Sequence, residues 1–136
     1  MPQTRRAANP RHPTEAELEI LRVLWSRGAS TARDVHETLV AGRLTTFSTT
    51  LKLLQIMFGK GLVARRDVRR PHVYQAAIPE EKMQQQLVAD LLQRAFGGAA
   101  RKLVAALTAS NLSDEELAEI RHLLDEHQEK SHARND

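Results

Sequence analysis

What most constrains the fold of this chain is a single change of hydrophobic period near residue 61. Before it, apolar residues recur at helical spacing in three short segments; after it, two short β-prone segments flank a basic cluster. The first segment opens on Thr14-Glu15-Ala16-Glu17, the pattern of a capping box, in which hydroxyl and carboxylate satisfy the free amides of a helix start. Leu18, Ile20, Leu21, Leu24 and Trp25 follow at helical spacing, and Gly28 is placed to end that helix near Arg27. Ser30 or Thr31 caps a second, shorter helix with Val35 and Leu39 inward, broken by Ala41-Gly42-Arg43. A third is expected to start near Thr46–Ser48 and run to Lys60, ended by Gly61. Its inward residues are Thr50, Leu53, Leu54 and Met57, one face of a helix.

Leu62–Asp67 and Val73–Ala77 then read as strands joined through Val68-Arg69-Arg70-Pro71-His72. Three short helices and a hairpin predict a mainly α fold with a small β-hairpin, a helix-turn-helix carrying a wing. In that arrangement the third helix enters the major groove of DNA.

Pro79-Glu80-Glu81 has the proline and acids of a helix start. Met83, Leu87, Leu91 and Ala95 form the inward stripe, widened by Val88, Leu92 and Phe96, and Gly97-Gly98 ends it. A short helix is expected over Ala99–Thr108, and Ser113-Asp114-Glu115-Glu116 is a second capping box opening a last helix. These helices carry more apolar side chains than they can bury on one another. Burial across a two-fold axis answers this, with Leu87, Leu91, Phe96, Leu103, Leu107, Leu117, Ile120 and Leu124 as dimer contacts; folding back on the winged helix is the alternative. The expected organisation is a disordered basic arm (1–13), a winged-helix DNA-binding domain (14–78), a helical dimerisation domain (79–130) and a flexible tail (131–136).

Charge divides along the same line. Residues 1–78 hold 13 Lys/Arg against 6 Asp/Glu, a net +7, and residues 79–136 hold 7 against 11, a net −4. A basic part suited to a polyanion is followed by an acidic part suited to protein contacts. The absence of cysteine excludes disulfides, cysteine-bound zinc and thiol switches. No apolar run approaches the ~20 residues of a membrane span, and Met1–Pro13 has no apolar signal core, so a cytoplasmic protein without membrane insertion is expected. The six histidines lack ligand spacing, and no nucleophile motif or phosphate-cradling glycine loop occurs. The chain is read as a non-enzyme without metal or cofactor.

Ser48, Thr49, Lys52 and Gln55 make a second face on the third helix, offset from its apolar one. Gln pairs with adenine, Lys with guanine or phosphate, and hydroxyls with either. Arg65, Arg69, Arg70 and His72, with Arg66, crowd the wing, where phosphate or minor-groove contacts are made.

The residues also resemble a family. Leu18-Glu19-Ile20-Leu21-Arg22-Val23-Leu24-Trp25, Phe47-Ser48-Thr49-Thr50-Leu51-Lys52-Leu53-Leu54-Gln55, Lys60-Gly61-Leu62-Val63, His72-Val73-Tyr74 and Leu91-Leu92-Gln93-Arg94-Ala95-Phe96-Gly97-Gly98 look like the BlaI/MecI/CopY penicillinase-repressor family, over roughly residues 14–127. The resemblance implies a homodimeric repressor on inverted repeats with TACA/TGTA-type half-sites. It also implies relief of repression by proteolysis in the C-terminal helices, triggered through a membrane-bound sensor protease, with the scissile bond aligned at Ala105–Ala106. Two features depart from the family. Ile56 and Gly59 stand where many members carry basic or polar residues, and the cysteine cluster of the copper-responsive branch is missing, which excludes that form of copper sensing. Other readings of the chain stay open: a winged helix that docks on a partner protein, a DNA-binding activator or architectural factor, and a regulator released by a small-molecule effector.

Overall fold

The computed structural model describes residues 12–40, 45–66 and 70–135. Most of the basic arm, the Ala41-Gly42-Arg43 break and the wing tip with Arg69 lie outside the described residues. The element order is α1 (Glu15–Arg27), β1 (Ser30–Thr31), α2 (Ala32–Val40), α3 (Phe47–Lys60), β2 (Val63–Arg65), β3 (Val73–Ala76), α4 (Glu80–Phe96), α5 (Ala100–Ala109) and α6 (Asp114–Asn135).

The helix signals in the first half act as read. Thr14 and Glu17 form the reciprocal capping box of α1. Thr31, rather than Ser30, caps α2: its hydroxyl accepts from the Asp34 N–H while the Asp34 carboxylate accepts from the Thr31 N–H. Those bonds, with the Thr31 backbone first, hold the Asp34 carboxyl below its ordinary value of 3.8, with a smaller contribution from Arg27. A depressed folded-state pKa stabilises the fold above the unfolded value, and the contribution is lost as pH falls through the folded value. Asp34→Asn, which removes the charge, is therefore expected to lower the melting temperature at neutral pH, with the difference from the native protein shrinking away as pH falls below about 4, as read by thermal melts. Gly61 closes α3 in the left-handed conformation (φ 82°), its N–H reaching the Met57 and Phe58 carbonyls.

The expected hairpin is present, but within a three-stranded antiparallel sheet of order β1-β3-β2. Ser30 lies opposite Tyr74 and Thr31 opposite Val73, while Val63 to Arg65 pair with Ala76 to Tyr74. Two residues are too few to show a period, so β1 has no signature of its own in the sequence. Its physical role is to pair the edge of β3 that the hairpin leaves open. Ile20, Leu21, Val35, Leu54, Met57, Leu62 and Met83 are fully buried and Tyr74 nearly so, which sets α1, α2, α3 and the sheet around one core. The Trp25 indole N–H donates to the Ile78 carbonyl at 2.9 Å, tying the end of α1 to the segment after β3.

The chain divides into units of residues 1–89 and 90–136, eleven residues later than the charge boundary. The reason is packing: Met83 is completely buried in the first unit and Leu87 packs against its core. Leu87, read from the sequence as a dimer contact, is thus engaged within its own chain. In the second unit no side chain is buried among the described residues. The Ser113–Glu116 capping box opens α6 as expected. That helix continues to Asn135, so the polar tail is helical. Residues 131–134 contain no breaker, and His132 and Arg134 suit the negative end of the helix dipole.

Candidate nucleic-acid interface

Two opposed faces of α3 organise this surface. Thr50, Leu54 and Met57 are buried, and Ser48, Thr49, Lys52 and Gln55 are exposed. The helix is held at both ends. At the start, the Thr46 hydroxyl accepts from the Thr49 N–H, and the two threonine hydroxyls lie 3.0 Å apart. Thr49 therefore takes part in the cap as well as facing outward. One turn in, the Thr50 hydroxyl meets His36 Nδ1 of α2 at 3.0 Å, and the His36 ring stands edge-on to Phe47.

The other end depends on a residue that sequence reading assigned only to capping. The Lys60 ammonium donates to both carboxylate oxygens of Glu17, at 2.9 and 2.8 Å. The Glu17 side chain is 2% exposed and that of Lys60 20%. Forty-three positions separate the partners, so no local pattern could reveal the pair.

On the wing, Arg65, Arg66 and Arg70 are exposed and His72 is half-buried, edge-on to Tyr74. The Arg65 guanidinium lies 4.0 Å over the Phe58 ring, which holds this wing residue against α3. Arg33, at the start of α2, was not among the residues read from the sequence. It stacks 4.1 Å over Phe47 and lines, with Gln55, Arg65, Arg70 and His72, a hollow of about 640 Å³ between α3 and the wing. Its signal was weak because it stands apart from the arginine cluster, and only the α2–α3 packing brings it there.

Six read residues thus share one side of the first unit: Gln55, Arg65, Arg70 and His72 around the hollow, Lys52 and Ser48 along the helix. Among the described residues no three His, Asp or Glu side chains converge on a metal position, and no helix is long and apolar enough to cross a membrane.

A curated relative, "Uncharacterized 16.5 kDa protein in ptsI 3'region" of Latilactobacillus sakei, is 27% identical over 119 residues, covering 87% of this chain and 82% of the relative. A solved structure, "ArsR-like Transcriptional Regulator from Rhodococcus sp. RHA1", aligns over 74% of this chain and 86% of its own at 22% identity, with a TM-score of 0.39. The sequence model of the penicillinase repressor family matches residues 13–126, which takes in α1 through most of α6. This chain belongs to the penicillinase repressor family, a family of DNA-binding transcriptional regulators and not of enzymes.

Proposed function

We propose that the chain is a homodimeric repressor that reads an inverted-repeat operator through α3, grips the phosphate backbone with the wing and Arg33, and dimerises through residues 90–136. The observation that carries the reading is the polar face of α3, exposed opposite a buried one and bordered by arginines held in place by stacking. Lys52→Ala and Gln55→Ala are each expected to lose about 1–3 kcal/mol of binding to the operator and much less to random duplex, measured by titration of labelled DNA. Equal losses on both duplexes would assign these residues to backbone contact only. Arg70→Ala and Arg33→Ala are expected to weaken all sequences alike and to make the slope of log affinity against log salt shallower by about one per contact. A slope that stays the same removes that residue from the interface.

Dimerisation is supported by the second unit's lack of a core. Leu91, Val104, Leu107, Leu123 and Leu124 are 47–63% exposed. Of the other expected contacts, Phe96, Leu103, Leu117 and Ile120 are half-buried. Apolar surface on this scale needs a partner, and a second copy matches the symmetry of an inverted repeat.

Release by proteolysis at Ala105–Ala106 is favoured by the character of α5. Both alanines are exposed, Ala99 provides no side-chain cap, and no residue of α5 is buried. Such a helix opens at little cost and offers its backbone to a protease, the role assigned to the membrane-bound sensor. Mass spectrometry of protein recovered from induced cells tests this. Fragments ending at Ala105 are expected, and an intact chain that has left its operator would favour a small-molecule effector instead.

A further inference from the structure

The proposed reading face of α3 carries an exposed isoleucine and a glycine toward its C-terminal end. At about 100° per residue, Ser48, Thr49, Lys52, Gln55, Ile56 and Gly59 fall within a sector of roughly 120°. Ile56 lies inside that sector, beside Lys52 one turn earlier, and is 42% exposed. A single exposed aliphatic residue is ordinary on a protein surface. This one differs because it sits among the residues that read bases and because of its neighbour. Gly59 is the penultimate residue of α3, still helical, and glycine is a poorer helix former than alanine. Its backbone is not in the left-handed region, and a Cβ built on it meets nothing within 4 Å. Among the described residues nothing requires glycine at this position, and its missing side chain leaves the surface beside Ile56 open to an approaching group.

We infer that Ile56 and Gly59 form an apolar notch in the reading face that seats the 5-methyl group of a thymine. Resting on the assignment of α3 as the reading helix, the inference adds a determinant of which base is read. In the major groove a thymine shows one acceptor and one methyl, and only the methyl suits an aliphatic side chain. Lys52 and Gln55, about one turn earlier on the same face, supply hydrogen bonds, while the missing Cβ at Gly59 lets the base edge approach the helix.

The test uses the full-length protein and an operator selected from random duplexes, with each thymine replaced in turn by deoxyuridine, which lacks only the methyl. Burying one methyl group corresponds to about a four-fold gain in affinity per half-site. One symmetry-related thymine is expected at which deoxyuridine weakens the native protein about four-fold yet leaves Ile56→Ala almost unaffected. Ile56→Ala should keep its melting temperature, because the side chain lies outside the core. Gly59→Ala should raise the melting temperature by about 4 °C while weakening the operator complex several-fold, opposite signs that a merely structural glycine does not give. If every deoxyuridine replacement affects native and Ile56→Ala protein equally, or Gly59→Ala binds operator unchanged, the notch is overturned. Lys52→Ala and Gln55→Ala separate the two levels: loss of specificity in these variants with no methyl effect overturns the notch alone. Full specificity retained in both overturns α3 as the reading helix and the notch with it.

Discussion

Replacing Lys60 by methionine is expected to lower the unfolding free energy by about 3 kcal/mol, the low end of what breaking a buried ion pair costs. Methionine keeps most of the apolar stem, so packing changes little and the effect isolates the charge. What remains is the Glu17 carboxylate, 2% exposed, with the Thr14 N–H as its other hydrogen bond. Lys60 is itself partly solvated, which is why the low end of the range applies. For a unit of this size the change corresponds to a melting temperature roughly 15 °C lower. The double variant Glu17→Gln, Lys60→Met removes both charges and keeps an acceptor for the capping bond, so most of the loss should return. A drop of only 2 or 3 °C in the single variant would mean the pair is solvated and contributes little. Operator affinity should follow stability, because the pair holds the last turn of α3 to the start of α1. Glu17→Gln, whose side chain is buried away from any DNA, should therefore weaken the operator complex as well.

Ending the chain at Ala89 is expected to leave a folded monomer whose operator affinity is lower by roughly 10²–10⁴, the avidity lost when two half-sites are no longer engaged by one linked pair. Residues 1–89 hold the whole buried core, Met83 included, so melting should remain cooperative. Ending at Ile78 is a different experiment. It strips a fully buried methionine from the core, and removing such a side chain costs about 2–5 kcal/mol. A comparison of the two lengths separates dimerisation from folding: binding should fall in both, and the melting temperature in the shorter one only. Full-length protein that sediments as a monomer at micromolar concentration would refute the dimer and leave the exposed leucines of α5 and α6 without their proposed partner.

Local interactions were legible in the sequence because they act over one helical turn. The capping boxes at Thr14 and Ser113, the stop at Gly61 and the split of α3 into an apolar and a polar face all depend on residues within four positions of one another. Beyond the hairpin of β2 and β3, contacts between distant positions left no such local pattern. Sequence reading named Gln55, Lys52 and the wing arginines as candidates but could not supply Arg33, which reaches the same hollow only because α2 packs on α3.

The sequence by itself determined the kind and order of the longer elements and the faces that α1, α2 and α3 turn inward, because hydrophobic period and capping are properties of contiguous residues. Tertiary structure alone decided that a two-residue strand completes the sheet, that Met83 and Leu87 belong to the first unit's core, and that Glu17 anchors Lys60. These are contacts between residues far apart in the chain, selected by the geometry of packing, and no short window of sequence encodes them.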